Sequence, residues 1–475
     1  MLPNEKVMIV VTLITSLICV TLSGNPCSAS EINIEALAEL GLAPFPQEDS
    51  LLQETFDEDL VSCIPLSAED IDSEFSNIDD LAWLESIASD NKCILLGENH
   101  YYRYVANLQN RILFALNTYD HYPLVVLERQ YSLTPFINHY LDIEQDSLAR
   151  KYYDTVLSHL INTVELQTRV EHIRRWNQHN PEKLIHIGFS DIEHDYRTTI
   201  STILLPYLRQ VEPDLEIDTE NLIPMDLGDV VYELRRVSDS ARQAETVGAY
   251  PFITPDYIDN VIDNLESTYF AKLPGGFSYY RQSAIIRNLT DPRFLGDYLT
   301  DGKAVIIAGG YHTATEFEYP EGGNFFKEGS YLNYDFEPTQ GRTFSIYIGA
   351  FAYSLDAMAD IDPSTCGHHG SGYMRIVENL RQAYQDSLIT PGDNLLFSDP
   401  MNDFNRLLLH KASQYRFQPV LFTEMDMNGL LESAELAERE EYMYFRYYAG
   451  IIEAHDQFIL VPYSPVTTAI QENTD

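Results

Sequence analysis

Two stretches of the chain read Gly-x-x-His, and each directly follows an apolar run. Cys93-Ile94-Leu95-Leu96 leads into Gly97-Glu98-Asn99-His100, and Ala304-Val305-Ile306-Ile307-Ala308 leads into Gly309-Gly310-Tyr311-His312. An imidazole titrates near neutrality, so a histidine at a strand end can act as a general acid or base or as a metal ligand. The glycine lets the chain turn sharply before it. Either motif alone reads as a strand-end histidine bonded to a neighbour; the pair favours function. Two further apolar runs end in ionisable residues. Leu124-Val125-Val126-Leu127 is followed by Glu128-Arg129-Gln130, and Leu184 to Phe189 by Ser190-Asp191-Ile192-Glu193-His194. A carboxylate directly behind a buried run is costly unless paired. Glu128 is therefore a site acid or half of an ion pair with Arg129 or another arginine. Asp191 is a site acid or the cap of a helix starting near Tyr196.

The elements that must position these groups alternate. Short apolar runs at 93–96, 124–127, 184–189, 304–308 and 344–348 are separated by tracts of helical spacing: 104–116, a long one over 134–180, then 195–210 and 226–298. Runs apolar throughout, joined by helices, imply a mostly parallel central sheet covered on both faces, an α/β fold. Chemistry in such a sheet sits past the carboxyl ends of the strands. Four strand ends would then bring Glu98, His100, Glu128, Asp191 and His312 to one rim. The tract 226–298 reads as a helical insertion. Residues 351–413 are irregular and acidic. A C-terminal extension adds strand candidates at 419–422 and 458–461 with an acidic helix, 430–447, between them. The expected organisation is a signal segment over 1–30, an acidic lead-in over 31–80, and one α/β domain over 81–475.

The 475 residues carry 73 acidic and 30 basic side chains, a net charge of −43. That balance excludes an unaided nucleic-acid binder and disfavours an anionic membrane surface. Val7 to Leu22 is an apolar run after a short polar start, with small residues at 27–30. This is the pattern of a secretory signal cleaved near Ala29 or Ser30, so the mature chain is expected in the periplasm or outside the cell, without stable membrane association. Cys63, Cys93 and Cys366 would remain, in no zinc-ligand spacing. There is no Gly-x-Ser-x-Gly elbow, P-loop or dinucleotide fingerprint.

Two chemistries suit the rim. Without metal, His100 is the base that deprotonates water, Glu128 or Glu98 supports the imidazolium, and His312 serves the leaving group. With metal, His100, His312, Glu98 and Glu128 form a mixed N/O set for zinc, manganese or iron. The His312-x-x-x-Glu316 spacing would share one helix face if the helix continues. His368-His369 in a glycine-rich loop is a weaker metal candidate.

Leu96-Gly97-Glu98-Asn99-His100, Val126-Leu127-Glu128-Arg129, Ile187-Gly188-Phe189-Ser190-Asp191, Arg281 to Asn288 and Ala308-Gly309-Gly310-Tyr311-His312 together resemble, in order, motifs of the erythromycin-esterase-like proteins. The same superfamily includes ChaN-like haem-binding lipoproteins and the Tiki/TraB proteins. The resemblance spans roughly 81–352, with a fainter echo at 458–465. It implies a hydrolase acting on an ester or amide of a small molecule or peptide, and adds Arg281 as the group for a developing oxyanion. Gln282 stands where the family has Asp, and Tyr101 and Tyr102 stand where small residues are usual, which weakens macrolide hydrolysis as the activity. The ChaN branch implies the alternative, a non-catalytic haem- or metal-binding protein, with Tyr101 and Tyr311 flanking the haem.

Overall fold

The computed structural model describes residues 61–100, 102–161, 163–315 and 327–350, the strand at 42–44, and short stretches beyond 351, chiefly 394–397, 418–425 and 454–462. The expected signal segment, the acidic helix at 430–447, most of 351–413, and Tyr101, Glu316, Cys366, His368 and His369 lie outside these residues.

The strands are β1 (Leu42–Pro44), β2 (Val61–Pro65), β3 (Cys93–Glu98), β4 (Leu124–Gln130), β5 (His186–Asp191), β6 (Ala304–Gly309), β7 (Thr343–Ala350), β8 (Ala352–Ser354), β9 (Asn394–Phe397), β10 (Val420–Met425), β11 (Gln457–Val461) and β12 (Ser464–Pro465). Eight of them form one sheet in the order β2-β10-β11-β7-β3-β6-β4-β5; β1, β9, β8 and β12 form a smaller one. From β11 to β5 every neighbouring pair is parallel, and β10 and β2 close one edge antiparallel. The fold is therefore the mostly parallel α/β sheet expected. The apolar runs form its centre: β6 is buried throughout, β3 from Cys93 to Gly97, and β4 from Leu124 to Leu127. Among the described residues Cys63 and Cys93 form no disulfide.

The helices are α1 (Leu84–Asp90), α2 (Arg103–Tyr119), α3 (Thr134–Leu141), α4 (Asp146–Thr155), α5 (Val164–His179), α6 (Leu227–Gln243), α7 (Pro255–Lys272), α8 (Phe277–Thr290), α9 (Gly296–Asp301), α10 (Gly310–Thr313) and α11 (Glu328–Tyr334). Short helical turns span 196–208. The long tract 134–180 is thus three helices with a 3₁₀ turn between the last two. Thr163 restarts the chain as the cap of α5, accepting from Leu166 N–H at 3.3 Å, a cap hidden by continuous helical periodicity. Among the described residues no helix is long and apolar enough to cross a membrane.

The apolar stripe of α2, Val105, Leu108, Ile112 and Ala115, is buried, but so are Gln109, Asn110 and Arg111 on its other faces. Within the tract read as an insertion, α8 packs on β5 as well as on α7. A buried acid ties these helices to the sheet. Glu193, past β5, accepts from Ser132 N–H and Oγ–H, Thr199 Oγ–H and Asn264 Nδ2 at 2.7–3.0 Å.

Candidate active site

Strand order, not chain order, assembles the site. β6 enters the sheet between β3 and β4, so the rim reads Glu98 and His100, then His312, then Glu128, then Asp191. The strands end at one level: Glu98 lies opposite Gly309, and Leu127 opposite Ile307. Glu128 then reaches across, and its Oε2 accepts the Gly309 N–H at 2.8 Å.

The glycines in these motifs work by close approach. Gly309 has φ −52° and ψ 142°, open to any residue. A Cβ on Gly97 would lie 2.2 Å from Thr313 Oγ1, and one on Gly310 would lie 2.5 Å from the Tyr347 ring. The sharp turn expected from glycine's freedom is not what these positions use.

Arg281, on α8, organises the centre. Its Nε and Nη2 donate to Asp191 Oδ1 and Oδ2 at 2.9 and 2.7 Å, Nη2 also donates to Glu128 Oε1, and Nη1 lies 3.2 Å from His312 Nε2. Three of the five guanidinium N–H bonds are thereby donated to carboxylates. The two on Nη1 meet no carboxylate among the described residues and face only His312. The ion pair left open for Glu128 is made with Arg281. Asp191 does not cap the following turn; Asp195 does, accepting from Thr198 N–H at 3.3 Å. Asp191 Oδ2 also faces His194 Nε2 at 2.9 Å.

Two histidines face this centre, each held from behind by a carboxylate. His100 Nδ1 lies 3.0 Å from Glu98 Oε1, and its Nε2 is 4.0 Å from Glu128 Oε2. His312 Nδ1 lies 3.0 Å from Glu328 Oε1, and its Nε2 is 3.4 Å from Glu128 Oε1. A carboxylate can only accept, so both rings carry a proton on Nδ1. His100 is half exposed, whereas His312 is largely buried.

Burial lowers the pKa of each ring, and in each the carboxylates win. Glu98 and Glu128 raise His100 above the usual 6.5. Glu328 and Glu128 raise His312 to about 9, against the opposing Arg281. Burial pushes Glu128 and Asp191 up, but the surrounding cations hold both below the ordinary carboxylate range: His312, His100 and Arg281 for Glu128, His194 and Arg281 for Asp191. The Arg281 approach to His312 Nε2 fits a lone pair there, and the Glu128 approach fits a proton. The carboxylates tip this balance to the imidazolium up to about pH 9.

The structure thus gathers Glu98, His100, Glu128, Asp191, Arg281 and His312. Glu328 was not anticipated. It opens α11, sixteen residues beyond His312, and no spacing rule links the two. The helix carrying His312, α10, ends at Thr313, and Glu316 lies outside the described residues. Tyr311 meets His312 edge-on at 5.7 Å and lies 3.9 Å below Lys327 Nζ. Tyr347 Oη donates to Asn99 Oδ1 at 2.7 Å, fixing the residue before His100. Gln282 is buried, its Nε2 without a hydrogen-bond partner among the described residues.

These donors do not fit a metal or a haem iron. Arg281 lies among Glu128, Asp191 and His312 where a cation would have to sit. No group of three His, Cys, Asp or Glu among the described residues gathers to hold a metal ion.

No family model and no curated protein matches the chain by sequence. Solved structures do. A Bacillus cereus protein superposes with a TM-score of 0.52 at 14% identity, over 86% of this chain and 97% of its own. At that identity the match establishes a shared fold. An erythromycin esterase mutant, EreC, in its open conformation matches at 0.46 and 10%, over 86% of this chain and 98% of its own. ChaN of Campylobacter jejuni, with cofacial heme bound, matches at 0.25 and 14%, over 57% and 85%.

Proposed function

We propose that the protein is a hydrolase that cleaves an ester or amide with a histidine-activated water. One observation carries this reading: two carboxylate-held imidazoles turn Nε2 toward the same Glu128–Arg281 pair. His100, the more exposed, takes a proton from water as the oxygen adds to the carbonyl carbon. Arg281 Nη1, whose N–H bonds no carboxylate takes among the described residues, stabilises the oxyanion, in the surroundings where such a donor counts most. His312 gives its Nε2 proton to the departing oxygen or nitrogen as the bond to carbon breaks. An acid and an alcohol or amine result. Glu128 faces both Nε2 atoms and is the group placed to return the proton from His100 to His312.

Aromatic rings flank the reacting groups. Phe277 lies 5.5 Å from the Arg281 guanidinium and Tyr311 stands beside His312, both exposed on one side. They support a small-molecule or peptide substrate with an apolar body, and the net charge of −43 supports a neutral or cationic one. The same reading makes the protein exported, to the periplasm or beyond, on the strength of its first thirty residues.

The test is His100→Ala and His312→Ala, assayed on a panel of esters and amides with circular dichroism to verify folding. General acid–base groups contribute about 10²–10⁴-fold each, so both variants should fall by that factor. Full activity in either folded variant overturns the assignment.

A further inference from the structure

We infer that Gln109 and Arg169 are positioning residues that fix the proton of His100 on Nδ1 and so leave its Nε2 lone pair facing the site. The inference rests on His100 being the base proposed above.

Gln109 and Asn110 lie on α2 and Arg169 on α5, outside the rim and all buried. Arg169 Nη2 donates to Gln109 Oε1 at 2.7 Å, and Gln109 Nε2 donates to Glu98 Oε2. A guanidinium only donates and a carboxylate only accepts, so the amide between them has one orientation. With Oε2 engaged there, Glu98 presents Oε1 to His100 Nδ1 at 3.0 Å. The ring then has one stable neutral form, protonated on Nδ1.

A second arm holds Arg169 in place. Its Nε donates to Asn110 Oδ1 at 2.6 Å, and Asn110 Nδ2 donates to Asp70 Oδ1 at 3.0 Å. Among the described residues every Arg169 hydrogen bond ends on an amide or backbone oxygen. A guanidinium buried only for packing would be expected to pair directly with a carboxylate, because an uncompensated buried charge is costly. Here two adjacent amides relay the charge, one to Glu98 and one to Asp70. The charged groups around Arg169 are Glu98, Asp70, Arg129 and Glu165. Those around His100 include Glu98, Glu128 and His312.

The test is nitrogen NMR of the full chain labelled with ¹⁵N-histidine, titrated with pH, His100 being assigned by comparison with His100→Ala. Neutral His100 is expected in the Nδ1–H form. A wild-type His100 in the Nε2–H form overturns the inference without any variant. Gln109→Met removes the relay and should release the ring to a mixture of both forms. Gln109→Glu keeps the shape and the acceptor for Arg169 but donates to Glu98 only while protonated. The tautomer should then depend on pH where the wild type is constant. Folded variants that keep the wild-type tautomer at every pH overturn the inference. The readout needs no substrate. An active His100→Ala chain would sink the proposed hydrolase while leaving an Nδ1–H tautomer in the wild type standing.

Discussion

An imidazole whose Nδ1 is bound to a carboxylate has only Nε2 to offer, and here both offers face Glu128. Their protonation decides which ring takes a proton and which gives one. His100 must be neutral to act, and its pKa is raised above 6.5, so activity should climb as pH passes above that value. His312 must be cationic, so activity should fall as pH passes about 9. The expected profile of kcat/KM is a bell whose limbs report the coupled pair; a flat profile from pH 6 to 10 contradicts the roles. Glu328→Gln removes the charge that contributes most to raising His312 and should move the alkaline limb toward neutrality. The raised pKa also bears on stability. A group held above its unfolded pKa stabilises fully below that unfolded value, so this contribution should be present below about pH 6.5 and lost as pH rises through about 9. Arg281 carries a different load. Arg281→Met leaves Glu128 and Asp191 buried without their shared cation, and loss of one partner from such a cluster costs about 3–5 kcal/mol. Urea unfolding measures that loss, and the acid midpoint should rise with it as the two carboxylates take up protons more readily.

At the scale of elements, the site exists because α10 lies directly against β3. Gly97 permits that contact. Its missing Cβ would sit 2.2 Å from Thr313 Oγ1 and 3.1 Å from His455 Nε2, and Thr313 Oγ1 itself bonds Gly310 O and His455. Gly97→Ala must push α10 outward and should cost about 1–3 kcal/mol, the usual range for overpacking, read as a lower urea midpoint with an unchanged slope. What the sequence disclosed follows from the same geometry. Strands buried on both faces show as unbroken apolar runs, so β3, β4, β5, β6 and β7 were legible, and so were the ionisable residues just past four of them. Strand order was not: no local pattern says that β6 inserts between β3 and β4, which is what places His312 beside Glu128. Arg281 sits on a helix of ordinary composition, and only its likeness to a known motif singled it out. Glu328 had no such likeness. Gln109, Asn110 and Arg111 carry no signal of their own in the sequence, because a buried polar network and a solvated helix face have the same composition.

At the scale of the whole molecule, the charge of −43 is spread along the chain, while the described site mixes Glu98, Glu128, Asp191 and Glu328 with Arg281, His100 and His312. The site therefore supplies its own local cations, and the remaining acids act at a distance. Their field should sort substrates before any contact is made. A cationic ester is drawn toward the surface and an anionic one repelled, and both effects shrink once the Debye length falls from about 30 Å at 0.01 M salt to about 3 Å at 1 M. Three esters that share one apolar acyl group and carry a cationic, neutral or anionic alcohol make the test. As salt rises, kcat/KM should fall for the cation, rise for the anion and hold nearly steady for the neutral ester. The alkaline limb near pH 9, set by carboxylates touching His312, should move much less with salt than these rates do, because buried neighbours are screened less than surface charges. Equal salt responses across the three esters would mean that the acidic residues lie too far from the rim to steer, and that binding is decided by Phe277, Tyr311 and the groups they flank.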